Sequence, residues 1–439
     1  QDMMVWTKRY REAESLTDSD MVFVGYGIVA PEYDWNDYEG LDVEGKTVVM
    51  LVNDPGFATG DPELFNGRAM TYYGRWTYKY EEAARQGAAG ALIVHETDAA
   101  GYPWLVVSGS WSGEQFDLDL GDAAPLRVAI EGWLTGEAAR SVFASAGVDF
   151  DEAVSAAASG KFEARPLGLQ ASVAVTNGLS SMESANVVGM LPGSEHPDEY
   201  IVYTAHWDHL GVARSVLQDR IYNGAVDNAT GVAGMLEIAE AFSVMEPGPK
   251  RSIVFLAVTA EESGLLGSDW YASHPLFPLE RTVANINLDA MSLVGPSHDI
   301  TVIGYGNSEL DEYAARAAEI QSRHLEPEPT PEKGFFYRSD HFNFAKRGVP
   351  ALYLRGGVDH REKGREYGLA YNSAWVSERY HKVSDEYSED WDLRGVIEDV
   401  ELLFEVGRAL SATRDWPNWV EGNEFRAARD ASASAREGG

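Results

Sequence analysis

Apolar residues along this chain come in short, dense runs set off by turn-forming residues, and what lies between the runs changes near Leu167. Before it, Met21-Val-Phe-Val-Gly and Thr47-Val-Val-Met-Leu-Val52 read as buried strands bounded by Gly, Pro, Asn and Asp. Tyr78 to Gln86 has helical texture and leads through Gly87-Ala-Ala-Gly-Ala-Leu-Ile-Val-His95, a helix end running into another buried strand. Glu131 to Ala146 reads as a further helix. A strand-rich α+β module is expected over this stretch.

After Leu167, Ala171-Ser-Val-Ala-Val-Thr176 alternates as an edge strand does, and Ala185-Asn-Val-Val-Gly-Met-Leu191 reads as another. Apolar runs at Ile201-Val-Tyr-Thr-Ala, Ser252 to Val258, Val283 to Leu288, Ile300 to Ile303 and Ala351 to Leu354 predict buried strands. Between or after them lie helical patterns at Ala229 to Met245, Gly264 to Ser273, Ser308 to Gln321 and Leu393 to Thr413. Strands alternating with helices of this length predict an α/β fold with a mostly parallel, mixed sheet flanked by helices.

Length and composition narrow the picture. At 439 residues the chain suggests two domains. With 35 Lys and Arg against 70 Asp and Glu, the net charge of −35 excludes a nucleic-acid backbone or an anionic membrane surface as the expected partner. Cysteine is absent, which removes disulfides and thiol chemistry. No apolar run approaches the roughly 18 residues of a spanning helix. The last residues, Ala427 onward, are small and polar and are expected to fray.

Candidate chemistry sits where the predicted strands end. His206 and Asp208 close one strand, two residues apart and therefore on one side of it. Asp227 immediately precedes the helical Asn228-Ala-Thr-Gly. Glu261 and Glu262 follow the next strand, Asp289 ends another, and His381 lies in a later loop. Singly, such residues are ordinary caps, turn formers and dipole partners. Gathered at one sheet edge, the carboxylates repel unless positive charge sits among them, and Asp, Glu and His suit a divalent pair such as zinc.

His206-Trp-Asp208, Asp227-Asn-Ala-Thr-Gly231, Glu261-Glu262-Ser-Gly264, Asn287-Leu-Asp289 and Tyr380-His381 resemble, in order, the motifs of the dinuclear-zinc aminopeptidases. That family includes secreted bacterial leucyl aminopeptidases, glutamate carboxypeptidase II and the transferrin receptor ectodomain. The resemblance covers about residues 168–425. Residues 21–167, with Val24-Gly-Tyr-Gly-Ile-Val-Ala-Pro31 and Tyr38-Glu-Gly-Leu-Asp-Val-Glu-Gly-Lys46, resemble the protease-associated domain inserted in many members. The implied organisation is a remnant or linker at 1–20, that domain at 21–167, a zinc peptidase domain at 168–425 and a flexible tail at 426–439. Members with this insert usually carry a peptidase segment ahead of it. About twenty residues precede Met21 here, so that segment is expected to be absent or truncated.

The resemblance implies two zinc ions per chain, His206 and Asp289 on one, Glu262 and His381 on the other, and Asp227 bridging both. Glu261 is implied as the general base. Asp208 would accept a hydrogen bond from His206 and fix its tautomer. A cis peptide is implied at Asp227-Asn228. Some relatives use a tyrosine upstream of Ser-Asp-His to assist the oxyanion. Here Tyr337, in Phe335-Phe-Tyr337-Arg-Ser339-Asp-His341, is the nearest phenol, a candidate for that role or for the pocket wall, with Phe336 an alternative occupant of the place. His209, His341 and His360 are expected to support the site or the fold. The implied activity is hydrolysis of N-terminal residues from peptides with a free amino end, in a secreted or periplasmic bacterial setting. A carboxypeptidase, using Arg338 or Arg355 for a terminal carboxylate, a one-zinc glutaminyl cyclase and a receptor-like binding module are the alternatives on the same fold.

Overall fold

The computed structural model describes residues 2–121, 124–160, 162–213 and 219–437. Two compact units make up the chain, Gln1–Met182 with Thr330–Tyr337, and Glu183–Pro329 with Arg338–Gly439.

The first unit is built on a six-stranded sheet: β1 Met3–Trp6, β2 Ala13–Phe23, β3 Thr47–Leu51, β4 Gly90–His95, β5 Ile130–Thr135 and β6 Arg165–Thr176. They lie in the order β1-β5-β4-β3-β2-β6. The two central runs, β3 and β4, are buried on both faces. Val48, Met50 and Ile93 enter one apolar cluster, and Val49, Leu51, Leu92 and Val94 the other. A strand covered on both sides has no polar face to show, which is why these runs are continuously apolar.

Three stretches differ from the sequence expectation. Residues 3–6 and 13–20 are strand, not linker: Met4 and Trp6 are buried, and the Trp6 ring stacks on Trp111 at 3.7 Å. The helix expected from Glu131 starts only at Gly136. Glu131 to Leu134 is strand, because Glu131 is buried with its Oε2 accepting from Trp6 Nε1 at 3.0 Å. A side chain at Gly132 would collide with the Met4 carbonyl, so this strand needs a glycine where β1 crosses. The alternating 171–176 segment is an edge strand as expected, but it pairs antiparallel with β2 and so lies in this sheet.

The second unit carries a seven-stranded sheet: β7 Val187–Leu191, β8 His196–His206, β9 Arg251–Val258, β10 Thr282–Asn287, β11 Asp299–Ile303, β12 His324–Pro327 and β13 Ala351–Gly356. The order is β12-β11-β13-β10-β8-β9-β7. The central strands β9, β8, β10 and β13 are mutually parallel, while β7 and β11 run against their neighbours β9 and β13. This is the mixed, mostly parallel α/β sheet expected. On β8, Ile201, Tyr203 and Ala205 face a core shared with the helices Thr230–Val244, Leu310–Ile320 and Arg394–Ala412. Val202 faces the opposite core, with Tyr271 and Ala272 of the helix Leu266–Ser273 and Phe344 of the helix His341–Ala345. Parallel strands bring their carboxyl ends to one edge, which gathers the residues after His206, Val258 and Asn287.

The tail expected to fray is helical at Arg426–Ala431 and Ala433–Glu437; residues 438–439 lie outside the described residues. It is held by Arg429, 1% exposed, whose guanidinium donates to the carbonyls of Thr282, Val283 and Pro417. Among the described residues no helix is long and apolar enough to cross a membrane.

Candidate metal centre

His206 is the last residue of β8 and is 1% exposed. Its Nδ1 lies 3.1 Å from the main-chain carbonyl of Asp208, so the proton belongs on Nδ1 and the Nε2 lone pair faces inward. That nitrogen lies 3.2 Å from Asp227 Oδ1 and 3.4 Å from Asp289 Oδ1. His381 Nε2 lies 3.3 Å from Asp227 Oδ2 and 3.1 Å from Glu262 Oε2. Asp227 thus turns one oxygen to each histidine. The five expected ligands stand together.

The main chain is shaped to place them. Ala260 before the glutamate pair, Ala290 after Asp289, and His381 itself all adopt positive φ without being glycine (54°, 51° and 56°). The Asp227-Asn228 peptide is cis. Asn228 ties the turn to the next strand, donating to the Leu288 carbonyl and accepting from the amides of Gly231 and Ala290. Asp385 caps the other side. Its carboxylate accepts from the amides of Val226 and Asp227 at 3.1 Å, and its carbonyl accepts from Ala225.

Asp208 was expected to orient His206 through its carboxylate. That carboxylate is 3.9 Å from Nδ1, beyond hydrogen-bond reach, and the carbonyl of the same residue makes the contact instead. Asp208 Oδ1 accepts from the Glu261 amide at 3.1 Å and so pins the turn that presents the glutamate pair. The Asp208 side chain is engaged instead by the turn that follows β9.

The electrostatics show what the cluster favours. Burial opposes charge on both histidines, yet Asp227 and Asp289 hold His206 well above the imidazole range, and Asp227 and Glu262 push His381 up to about 9. Asp227 and Glu262 resist burial and stay below the usual carboxylate range because imidazoles face them. The carboxylate set favours positive charge in its midst, and divalent cations would supply it. Burial, opposed by His206 but reinforced by Asp289, Asp340 and Glu262, raises Glu261 well above the carboxylate range. Burial also raises fully buried Asp340 to about 7.

The donor set fits a metal pair. His206, Asp227 and Asp289 offer ligand atoms within 4.8 Å of one another, as do His209, Asp227 and Glu262. The ligand-to-ligand spacings of 3.1–3.4 Å match the edge of a tetrahedron with metal bonds of about 2.0–2.1 Å, which is about 3.3 Å.

Four residues around the site carried no assigned role in the sequence. Ser339 donates to Asp289 Oδ2 at 2.5 Å, and Asp385 caps the Asp227 turn. Asp340 adds its field to Glu261. The Tyr380 ring stacks on His381 at 3.9 Å, and its phenol is driven far above the tyrosine range, by burial first and then by Asp227, Glu262, Asp289 and Glu261. Its place beside His381 in the motif was the available signal. Tyr337 has its hydroxyl donated to the Met70 carbonyl at 3.1 Å within the first unit. His360 accepts the amides of Glu362 and Lys363 on Nδ1, a purely local turn, and His341 is buried with its ring 5.1 Å from Tyr353.

The model of peptidase family M28 matches residues 186–404, and over that span the chain belongs to this family. Aminopeptidase NAALADL1 of Mus musculus is 38% identical over 129 residues, 28% of this chain and 16% of that protein. A probable zinc metalloprotease of Pyrenophora tritici-repentis is 26% identical over 213 residues, 46% of this chain and 47% of that protein. The alignments thus span less than half the length of these curated relatives. Among solved structures, an aminopeptidase from Aneurinibacillus sp. strain AM-1 superposes with a TM-score of 0.43 at 19% identity, covering 93% of this chain and 82% of the other.

Proposed function

We propose that the chain is a zinc-dependent exopeptidase, specifically an aminopeptidase acting on peptides with a free N-terminus. The observation that supports this best is the pair of donor groups that share Asp227, with buried Glu261 within electrostatic reach of His206, Asp289 and Glu262. In this reading His206 and Asp289 hold one zinc, Glu262 and His381 hold the other, and Asp227 holds both. When bound, the pair would supply Lewis acidity, lowering the pKa of a water and offsetting negative charge that develops on the scissile carbonyl. Glu261 is the chain's own group for taking a proton from the attacking water and returning it to the leaving amine. Asp208 positions Glu261 through the amide contact. Tyr337 and Tyr380, the latter stacked on His381, are the phenols considered for the oxyanion or the pocket wall. The first unit is read as a protease-associated domain, corresponding to residues 21–167, and the setting as secreted or periplasmic.

A carboxypeptidase is the second reading, favoured by Arg355. Its Nε donates to Tyr353 Oη at 3.0 Å, and that hydroxyl lies 3.4 Å from the Asp289 carbonyl, so a cation stands one side chain from the candidate metal site. A panel of aminoacyl nitroanilides, N-blocked peptides and peptides varied at the C-terminus, with and without chelator, separates the two. Cleavage of free-amino substrates alone, lost with chelator and regained with zinc, supports the aminopeptidase. Glu261→Gln is expected to cut kcat by roughly 10²–10⁴-fold while zinc content stays at two per chain. Full activity with zinc retained would refute the base assignment, and a single zinc at saturation would favour a cyclase.

A further inference from the structure

The three carboxylates proposed as ligands use their oxygens differently. Asp227 turns both toward histidine ring nitrogens, at 3.2 and 3.3 Å. Asp289 turns Oδ1 to His206 at 3.4 Å, while its Oδ2 accepts from Ser339 at 2.5 Å. Glu262 turns Oε2 to His381 at 3.1 Å, while its Oε1 lies 2.7 Å from His209 Nδ1. The distances fall into two sets. Those of 3.1–3.4 Å match the edges of a metal tetrahedron. Those of 2.5 and 2.7 Å are lengths of hydrogen bonds to a charged acceptor.

His209 is close enough to Asp227 and Glu262 to be grouped with them as a ligand. The shorter distance places it in the other set. Its ring also points to a donor. The His209 side chain is 6% exposed, and its Nε2 is buried with no hydrogen-bond partner among the described residues. An orphaned buried N–H is rarer than an under-satisfied acceptor, so the proton belongs on Nδ1, where Glu262 Oε1 accepts it. Glu262 is thereby tied on one oxygen as Asp289 is by Ser339, and the unrestrained carboxylate, Asp227, is the shared one.

We propose that His209 is a positioning residue that confines Glu262 to one-oxygen ligation of the second zinc. The proposal rests on the two-zinc reading above. Its consequence is a vacancy kept by design: Asp227, Glu262 and His381 supply three ligands, and a Glu262 free to bind through both oxygens would fill the fourth position, which catalytic zinc sites keep open for water or substrate.

The test uses the full chain, stripped with chelator and titrated with Co²⁺, read by equilibrium dialysis and by visible absorption. His209→Phe keeps a ring without the donor, and His209→Asn sets an amide nitrogen where Nδ1 stood. Wild type is expected to bind two ions. In His209→Phe the second should bind about 10–100-fold more weakly, the first unchanged, with the weaker visible bands of higher coordination. His209→Asn should return the affinity to within about threefold of wild type and restore the spectrum. Loss of the second ion in both variants, as in His381→Ala, would make His209 a ligand and overturn the proposal. Unchanged binding and spectrum in both would also overturn it. Should His209→Phe take up neither ion, His209→Asn decides alone, wild-type binding supporting the role and a lost second ion refuting it. A wild-type chain that takes up one ion overturns the two-zinc reading itself, and with it this role.

Discussion

Ser339→Ala removes one oxygen from a site 2% exposed, and that oxygen serves two partners. Ser339 Oγ donates to Asp289 Oδ2 at 2.5 Å and accepts from Asn287 Nδ2 at 2.7 Å; Asn287 Oδ1 in turn accepts from Thr204 at 2.7 Å. All four side chains are buried. A hydrogen bond to a charged group is worth about 1.5–3 kcal/mol, and the Asn287 amide hydrogen left without its acceptor costs about 1–3 kcal/mol more. Because the two losses share one network they do not add fully, and the metal-free protein should lose about 2–4 kcal/mol. The effect on metal is separable. Freed of Ser339, Asp289 can rotate, and the ion held with His206 should bind about 10–100-fold more weakly, or about 1.4–2.8 kcal/mol. Competition for zinc with a chelator of known affinity measures this, while urea unfolding of the stripped chain measures the stability loss. The ion on Glu262 and His381 is the internal reference. Unchanged affinity for the first ion, or an equal loss at both, would refute the view that Ser339 acts by fixing Asp289.

Two further outcomes follow from backbone and burial. Ala290→Gly relieves a left-handed residue at φ 51°, so it should leave urea stability unchanged or raise it by up to about 1 kcal/mol, whereas Ala315→Gly in the Leu310–Ile320 helix should lose about 1 kcal/mol; equal losses would remove the case for strain at Ala290. His95, 4% exposed among Tyr102, Trp104 and Trp133, is held below its ordinary imidazole value by burial, against the pull of the Tyr102 carbonyl. Its folded pKa being depressed, its contribution to stability is present above about pH 6.5 and is lost as the pH falls through the folded value. His95→Gln should therefore lose less stability than wild type between pH 7.5 and 5 in urea titrations, and parallel losses would contradict this.

The central strands were legible because burial on both faces leaves a run such as Ile201 to Ala205 no polar option, and parallel packing then puts the residues after each run at one edge. The same logic made His206, Glu262 and Asp289 readable as neighbours. Glu131 misled because a buried glutamate in a strand is tolerable only with a partner such as Trp6, 125 residues away. Ser339 and Asp385 were silent for a like reason: each acts through contacts with one segment 50 to 159 residues distant, which no local periodicity encodes. The tail looked unstructured by composition, and two of the carbonyls that hold Arg429 lie 146 and 147 residues away. Asp208 was found by its spacing, but spacing alone could not tell its carboxylate from its carbonyl.

The span from His381 to Asp385 joins two tasks on one short loop. One end presents an imidazole to Asp227, and the other holds the amide of that same aspartate. Loop length here is thus a matter of register. An added or deleted residue between the two ends could not be absorbed by slack, since either the imidazole or the carboxylate would leave its mark on Asp227. Variation in length among proteins built on this plan should accumulate on either side of this interval and spare the interval itself.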